Sequence, residues 1–316
     1  MPGIVTYAVP ETGVYIEEYP NGARSQIGVY DAGLPGSENK MRVCPDGFAD
    51  HAVPMVGRLA SGKSEWVFVD EIGYLESGSE AYRTALEELF AQKRVVAAVR
   101  RQNIPLLQCL RTREDVFCVD LDEPFGNTAC VIMASGVSKR FGGNKLLADF
   151  HGQPMIRRIL SATEGIFTRR VAVTRHPKIA QICAEGGIEV ILHDQPCRSD
   201  TVRLGLEAVG DADGCMFCPA DQPLLKQATV AALALAAVAD RNSIWRPGFG
   251  ERHGAPVLFP QWAFQELMNL PQGQGGGAVV QSYPERVRIL PVRDEWELAD
   301  ADDSETLELL LHSFSP

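Results

Sequence analysis

VIMASGVSKRFGGNKLL, residues 131–147, decides how this chain is read. An apolar, strand-like run at 129–133 empties directly into a loop rich in Gly, Ser and Arg that ends in Gly142-Gly143-Asn144-Lys145. Gly136 and Gly142 let backbone N–H groups come close to an anion, and Arg140 and Lys145 bring positive charge to its rim. The bland alternative is a solvated basic turn. The stretch does not fit GxxxxGK[ST], because Leu146 follows Lys145 and no GxxxxG precedes it. It points to a fold that holds a nucleotide without a P-loop.

Downstream, strands and helices alternate. A helix is predicted at 155–162, a strand at 170–174, a helix at 178–185 and a strand at 188–193. A helix at 200–209, a strand at 214–219 and a long Ala/Leu helix at 227–240 follow. This order predicts a parallel, doubly wound α/β sheet covered on both faces. Shorter strands at 244–246 and 256–259, a helix at 262–268, a Gly-rich break at 273–277 and a helix at 304–313 complete the second half. Upstream, residues 1–56 are β-like and turn-rich. They lead into a strand at 66–70, a helix at 80–91, a strand at 94–99, a helix at 105–111 and a strand at 116–119. That is a smaller α/β domain, and residues 123–127 are the predicted linker.

A chain of 316 residues suits two domains. Thirty basic against 41 acidic residues give a net charge of −11, which argues against nucleic acid as a partner. No apolar run is long enough to span a membrane, and the N-terminus carries neither a basic nor an apolar signal region, so a cytoplasmic protein is expected. Eight cysteines are too few for a disulfide scaffold. Cys215 and Cys218 form a CxxC inside a strand-like run, with no second pair to complete a metal cage, and are expected to be buried packing residues.

Open α/β sheets bind ligands at the carboxyl ends of their strands. Beyond the first loop, two such places stand out. CRSDTVRLGL, 197–206, offers Ser199 or Asp200 as a helix cap whose neighbouring amides face a cleft. CPADQPLL places Asp221 just after a strand, where a carboxylate beside phosphates suits Mg²⁺. The acidic group Asp300-Ala301-Asp302-Asp303 could supply a second metal ligand. No Ser/His/Asp or Cys/His constellation suggests covalent catalysis.

The segments MASGVSKRFGGNKLL, RSDTVRLGL, PADQPLL, RHGAPVLF and ADADDSETLELL, in that order, resemble the MobA-like nucleotidyltransferases, and more closely their molybdenum cofactor cytidylyltransferase branch. The likeness runs from Ala129 to the C-terminus. It implies a Rossmann-like NTP transferase fold at 128–316 that joins CMP from CTP (or GMP from GTP) to the phosphate of a molybdopterin-type cofactor, releasing pyrophosphate. Carried over by position, Arg140, Lys145 and Asp221 are catalytic. Ala134, Ser135, Gly136, Arg140, Lys145, Ser199 and Thr201 contact the nucleotide, and Asp221 and Asp302 hold Mg²⁺. Ser135 stands where the family has a second Ala, and is expected beside the base with its hydroxyl favouring cytosine. Gln274 stands where the family has an acidic residue, which bears on the pterin side.

GRLASGKS, 57–64, matches GxxxxGK[ST] in full. A working P-loop follows a strand and opens a helix. Here the strand WVFVD follows at once, so the match is read as chance. WVFVDEIGYLE and GVYIEEYPNGARSQIGVYD resemble the THEP1-like nucleoside-triphosphatases, with Asp70 and Glu71 in the Walker B place. Residues 1–127 are then a degenerate NTPase domain lacking its P-loop, kept for docking, homodimer formation or regulation.

Three alternatives remain open. One is a nucleotidyltransferase acting on another phosphorylated small molecule. Another is a non-catalytic protein delivering molybdenum cofactor to a molybdoenzyme client. The last is an NTPase that depends on Lys63.

Overall fold

The protein is described from a computed structural model, which covers residues 1–34, 40–138 and 140–313. The chain forms two compact units, Met1–Cys118 and Val119–Pro316.

The first unit is built on six strands: β1 (Gly3–Val9), β2 (Gly13–Tyr19), β3 (Ala23–Tyr30), β4 (Met41–Val43), β5 (Trp66–Ile72) and β6 (Arg94–Val99). Among the described residues they lie in the order β4-β3-β2-β1-β5-β6. The first four pair antiparallel, and β1, β5 and β6 run parallel. Ile4, Ile16, Ile27, Val67 and Val69 meet Phe48, Tyr82 and Leu86 in one apolar core. The sequence reading missed the helix Val53–Ser61, which has Pro in its first turn and buries Met55, Val56 and Leu59. The strand predicted at 116–119 is absent. Phe117 and Leu121 stay 55% and 85% exposed, so that run finds no apolar neighbours to hold it in a sheet.

The second unit holds β7 (Thr128–Ala134), β8 (Arg169–Thr174), β9 (Glu189–Leu192), β10 (Gly214–Pro219), β11 (Ile244–Phe249), β12 (Arg252–His253), β13 (Val257–Pro260) and β14 (Val287–Pro291). Their order is β12-β11-β13-β10-β7-β8-β9, with β14 against β11. The four strands β10, β7, β8 and β9 are parallel, as the βα alternation predicts. Among the later, shorter strands β13 joins β10 antiparallel. β11 and β13 are linked through the short β12 hairpin, and a link of that length cannot hold a crossover helix. The helix Gly277–Ser282 and strand β14 were also missed. The first grows out of what the sequence shows as a Gly-rich break.

Alternate residues of β7 serve opposite faces. Ala129 and Val131 enter one core, while Cys130, Ile132 and Ala134 enter the other, so the central strand is buried on both sides. The helix Arg198–Val209 approaches this strand through Gly205, where a Cβ would lie 2.5 Å from a Val131 methyl. Cys215 and Cys218 are fully buried, in different cores. Burial pushes both thiols well above their ordinary value, so they pack as apolar groups and share no metal.

The chain leaves β7 toward β8 and β9, then returns to place β10 on the other side of β7. The reversal between β7 and β10 makes their carboxyl ends the place for a ligand.

Candidate functional site

At that reversal β7 ends in the buried Ala134 and releases the loop the sequence singles out. Ser138 and Gly142 take positive φ, 47° and 71°, which folds the loop back on itself. The Ser138 hydroxyl accepts from the Lys145 amide at 3.2 Å, and the Asn144 side chain caps the one-turn helix Lys145–Leu147 through the Leu146 amide at 3.0 Å. Open space surrounds the Cα of Gly136, Gly142 and Gly143, so the backbone there is free for close approach. Lys139 lies outside the described residues.

The capped turn aims Lys145 inward. Its ammonium donates to Asp221 Oδ2 at 2.6 Å and to Asp302 Oδ1 at 3.1 Å, while the other oxygen of Asp302 receives Arg140 at 3.0 Å. Asp221 follows β10, and its backbone carbonyl accepts from the Ala301 amide at 2.8 Å. That bond fastens the 300–302 segment beside it. Two cations of one loop and two carboxylates distant in sequence thus converge at one point. Asp300, whose side chain sequence reasoning did not assign, joins them. Its carboxyl is raised above the ordinary value, by desolvation first and then by the Asp221 charge, although the residue as a whole keeps exposed surface. Burial pulls the Lys145 ammonium down, but Asp221 and Asp302 together outweigh it and hold its pKa above the ordinary lysine value.

Ser135 does not present a free hydroxyl to a base. It donates to the Val173 carbonyl at 3.1 Å and lies 2.7 Å from His193 Nε2. His193 Nδ1 accepts from the Gln195 amide at 3.2 Å, which leaves the ring proton on Nε2, directed at Ser135. His176 Nε2 sits 2.8 Å from the Gly136 carbonyl. Two histidines therefore brace the loop from the ends of β8 and β9. The sequence reading passed over both, although TRHP and LHDQ occupy the post-strand positions it weighed elsewhere.

Ser199 and Thr201 do not join this group through accessible side chains. They are 0% and 3% exposed within the helix Arg198–Val209, and the Ser199 hydroxyl accepts from the Gly273 amide at 3.4 Å. Asp200, rather than Ser199, closes the helix start by accepting from the Cys197 amide at 2.9 Å. Beyond Met133 and Pro219, which pair across β7 and β10, opens a cavity of about 490 Å³. Arg198, Arg246, Phe217, Phe259 and Gly275–Gly277 are among its lining residues.

In the first unit GRLASGKS runs off the end of the helix Val53–Ser61 and into β5. The Gly62 carbonyl accepts from the Lys93 ammonium at 2.5 Å. Asp70 is exposed, and Glu71 pairs with Arg100.

Residues 130–287, half of the chain's 316, match the family described as MobA-like NTP transferase domain, and residues 9–127 match a family described as NTPase. A 3-deoxy-manno-octulosonate cytidylyltransferase of Alkalilimnicola ehrlichii is 35% identical over 121 residues, which is 36% of this chain and 45% of that protein. The chain therefore spans less than half the length of that curated relative. Rv0371c of Mycobacterium tuberculosis superimposes with a TM-score of 0.53 at 23% identity, covering 60% of this chain and all of that one. CMP:2-keto-3-deoxy-manno-octonic acid synthetase complexed with CTP gives 0.50 at 15% identity, covering 60% of this chain and 98% of that one. These likenesses establish the α/β nucleotidyltransferase fold. Among the described residues no helix is long and apolar enough to cross a membrane.

Proposed function

We propose that this chain, which belongs to the MobA-like NTP transferase domain family, transfers CMP from CTP to the phosphate of a molybdopterin-type acceptor. An acceptor phosphate oxygen attacks the α-phosphorus, the bond to the β-phosphate breaks, and pyrophosphate leaves. The observation that carries the reading is Lys145, held between Asp221 and Asp302 beside a glycine loop at the β7–β10 reversal. A phosphate monoester is largely ionised near neutral pH, with a second pKa of about 6, so no strong base is needed. The work left to the protein is alignment and charge neutralisation.

The residues fit a divalent cation. Asp221 and Asp302 offer hard oxygen donors that already converge on one positive atom. Asp300 lies near enough to feel their charge, but among the described residues no group of three His, Cys, Asp or Glu forms a metal cage; Mg²⁺ keeps waters and substrate phosphates as ligands and needs no such cage. Bound there, the ion would neutralise charge on the triphosphate. Lys145 would pass from the carboxylates to the phosphates. Arg140, its side chain 70% exposed, is able to swing from Asp302 to the leaving group. The open amides around Gly136 and Gly142 receive phosphate oxygens.

The cytidine preference is supported by the names of the relatives, since the Ser135 hydroxyl is engaged elsewhere. The first unit is read as an NTPase domain without a working P-loop, because the matching motif sits at a helix C-terminus. Transfer from each nucleoside triphosphate to molybdopterin, followed by pyrophosphate release, tests the whole. CTP is expected to exceed GTP by at least roughly tenfold in kcat/KM, the equivalent of one well-made hydrogen bond. Equal use would remove the cytidylyl assignment, and no transfer from any nucleotide would remove the enzyme.

A further inference from the structure

We propose that His176 and His193 are positioning residues for nucleotide binding, holding the peptide planes of residues 134–137 so that their amide donors face the triphosphate. This rests on the transfer reading above. Each histidine acts through the loop and not on the reacting atoms.

Packing does not set the course of the loop as it leaves β7. A Cβ at Gly136 would meet no atom within 4 Å, and Val137 is 53% exposed. Hydrogen bonds set it instead. The Thr174 hydroxyl donates to the Ala134 carbonyl at 3.0 Å and accepts from the His176 amide at 3.2 Å. A carbonyl only accepts, so the His176 ring donates its Nε2 proton to Gly136 at 2.8 Å. Ser135 gives its one hydroxyl proton to Val173 and receives one from His193. The His193 amide donates in turn to the Thr174 carbonyl at 3.0 Å. Residues 134, 135 and 136 are thus each tied to the ends of β8 and β9.

The direction of these ties carries the consequence. In a trans peptide the carbonyl and the following N–H point opposite ways, and the peptide bonds of residues 134–137 are trans. The Ala134 and Gly136 carbonyls turn toward Thr174 and His176, at the end of β8. The Ser135 and Val137 amides therefore turn away from it. β7 has β8 on one side and β10 on the other, and β10 leads to Asp221 and its partner Lys145. Glycine at 136 lets the next peptide turn over at little steric cost, which would aim a carbonyl at the phosphates. The bond from His176 keeps the donor there.

His193 adds a dependence on protons. The charges around it are Arg175 after β8, Asp194 after β9, and Asp200 on the helix Arg198–Val209, itself paired with Arg203. Burial, then Arg175, hold the ring's pKa below the ordinary 6.5 against the two carboxylates. A second ring proton would sit on Nδ1, which now accepts from the Gln195 amide. Protonation thus loosens the tie to Ser135 as the pH falls.

The test measures equilibrium binding of CTP with Mg²⁺, and of cytidine, to the full chain without an acceptor. His176→Phe keeps a ring but has no donor. It should weaken CTP at least roughly tenfold, the loss of about one hydrogen bond to a charged group, while cytidine binds as before. His176→Gln, which restores a donor, should recover most of the affinity. In turnover the His176→Phe loss should fall on KM for CTP, with kcat nearly unchanged. The ratio of CTP dissociation constants, wild type over His193→Gln, should rise as the pH falls from about 7.5 to about 5.5, since ionisation of CTP is common to both. Unchanged CTP affinity in His176→Phe, cytidine lost in step with CTP, or a ratio that does not move with pH would overturn the inference. Should His176→Phe fail to fold, the pH ratio still decides it. Histidine-dependent CTP binding without transfer would uphold the positioning and defeat the transfer reading, and a wild type that binds no CTP would defeat both.

Discussion

Lys63 and Lys145 each close a Gly- and Ser-bearing stretch, yet their surroundings are opposite. Lys63 has the full GxxxxGK[ST] signature and lies exposed past the C-terminal end of a helix, where carbonyls point out. Those carbonyls repel phosphate, and one of them already binds Lys93. Lys145 lacks the signature, but it is buried, capped and held by two carboxylates at the carboxyl ends of parallel strands. The proposed phosphate site is thus told from the other stretch by which helix end and which strand end its loop connects, and not by the spacing of its glycines.

The strongest way to break this contrast is at Asp221. Asp221→Ala should lower transfer by at least roughly a hundredfold in a chain that still folds. Turnover near that of the wild type in a folded variant would take Asp221 out of the site. Next comes the packing that sets the loop's platform. Gly205→Ala pushes a methyl into Val131 and should cost about 1–3 kcal/mol, read as a melting temperature lower by several degrees. No loss of stability would mean that the helix moves away from β7 freely.

A smaller effect concerns His193, which contacts Ser135 and Gln195 and is faced by Arg175, Asp194 and Asp200. Burial, then Arg175, lowers its pKa below the ordinary 6.5. A depressed value means the stabilisation is complete above 6.5 and is lost as the pH falls through the folded-state value. The melting-temperature advantage of the wild type over His193→Gln should therefore shrink between about pH 8 and pH 5. An advantage that stays constant or grows would show that the ring is not held neutral. Smallest of all, Lys63→Ala should leave nucleotide turnover as it is. A large loss would restore the P-loop.

The buried strands and their helices were legible because apolar runs and turn residues mark them within one window of sequence. β7, β10 and the final helix came out almost as predicted. The antiparallel entry of β13 and the helix Val53–Ser61 were not legible, since both depend on partners elsewhere in the chain. The site divides in the same way. Arg140, Lys145 and Asp221 follow from post-strand positions and Asp302 from the acidic stretch before the last helix, each with the family likeness, and the structure brings all four together. Ser199 and Thr201, carried over from the family likeness, lie buried within their helix, a burial the sequence does not show. His193 escaped because it acts through Ser135, 58 positions away in sequence.

The clasp between Asp221, Lys145 and the 300–302 segment has a consequence for assembly. Its ion pair joins residues 157 positions apart, so the chain must close a very long loop before the pair exists. A ligand that binds both sides of the clasp binds only the closed chain and so draws the whole unit toward the native state. Free nucleotide at a hundred times its dissociation constant would add about 2.7 kcal/mol to the stability of the fold. A bound nucleotide would in this way favour the finished protein over the unfolded chain.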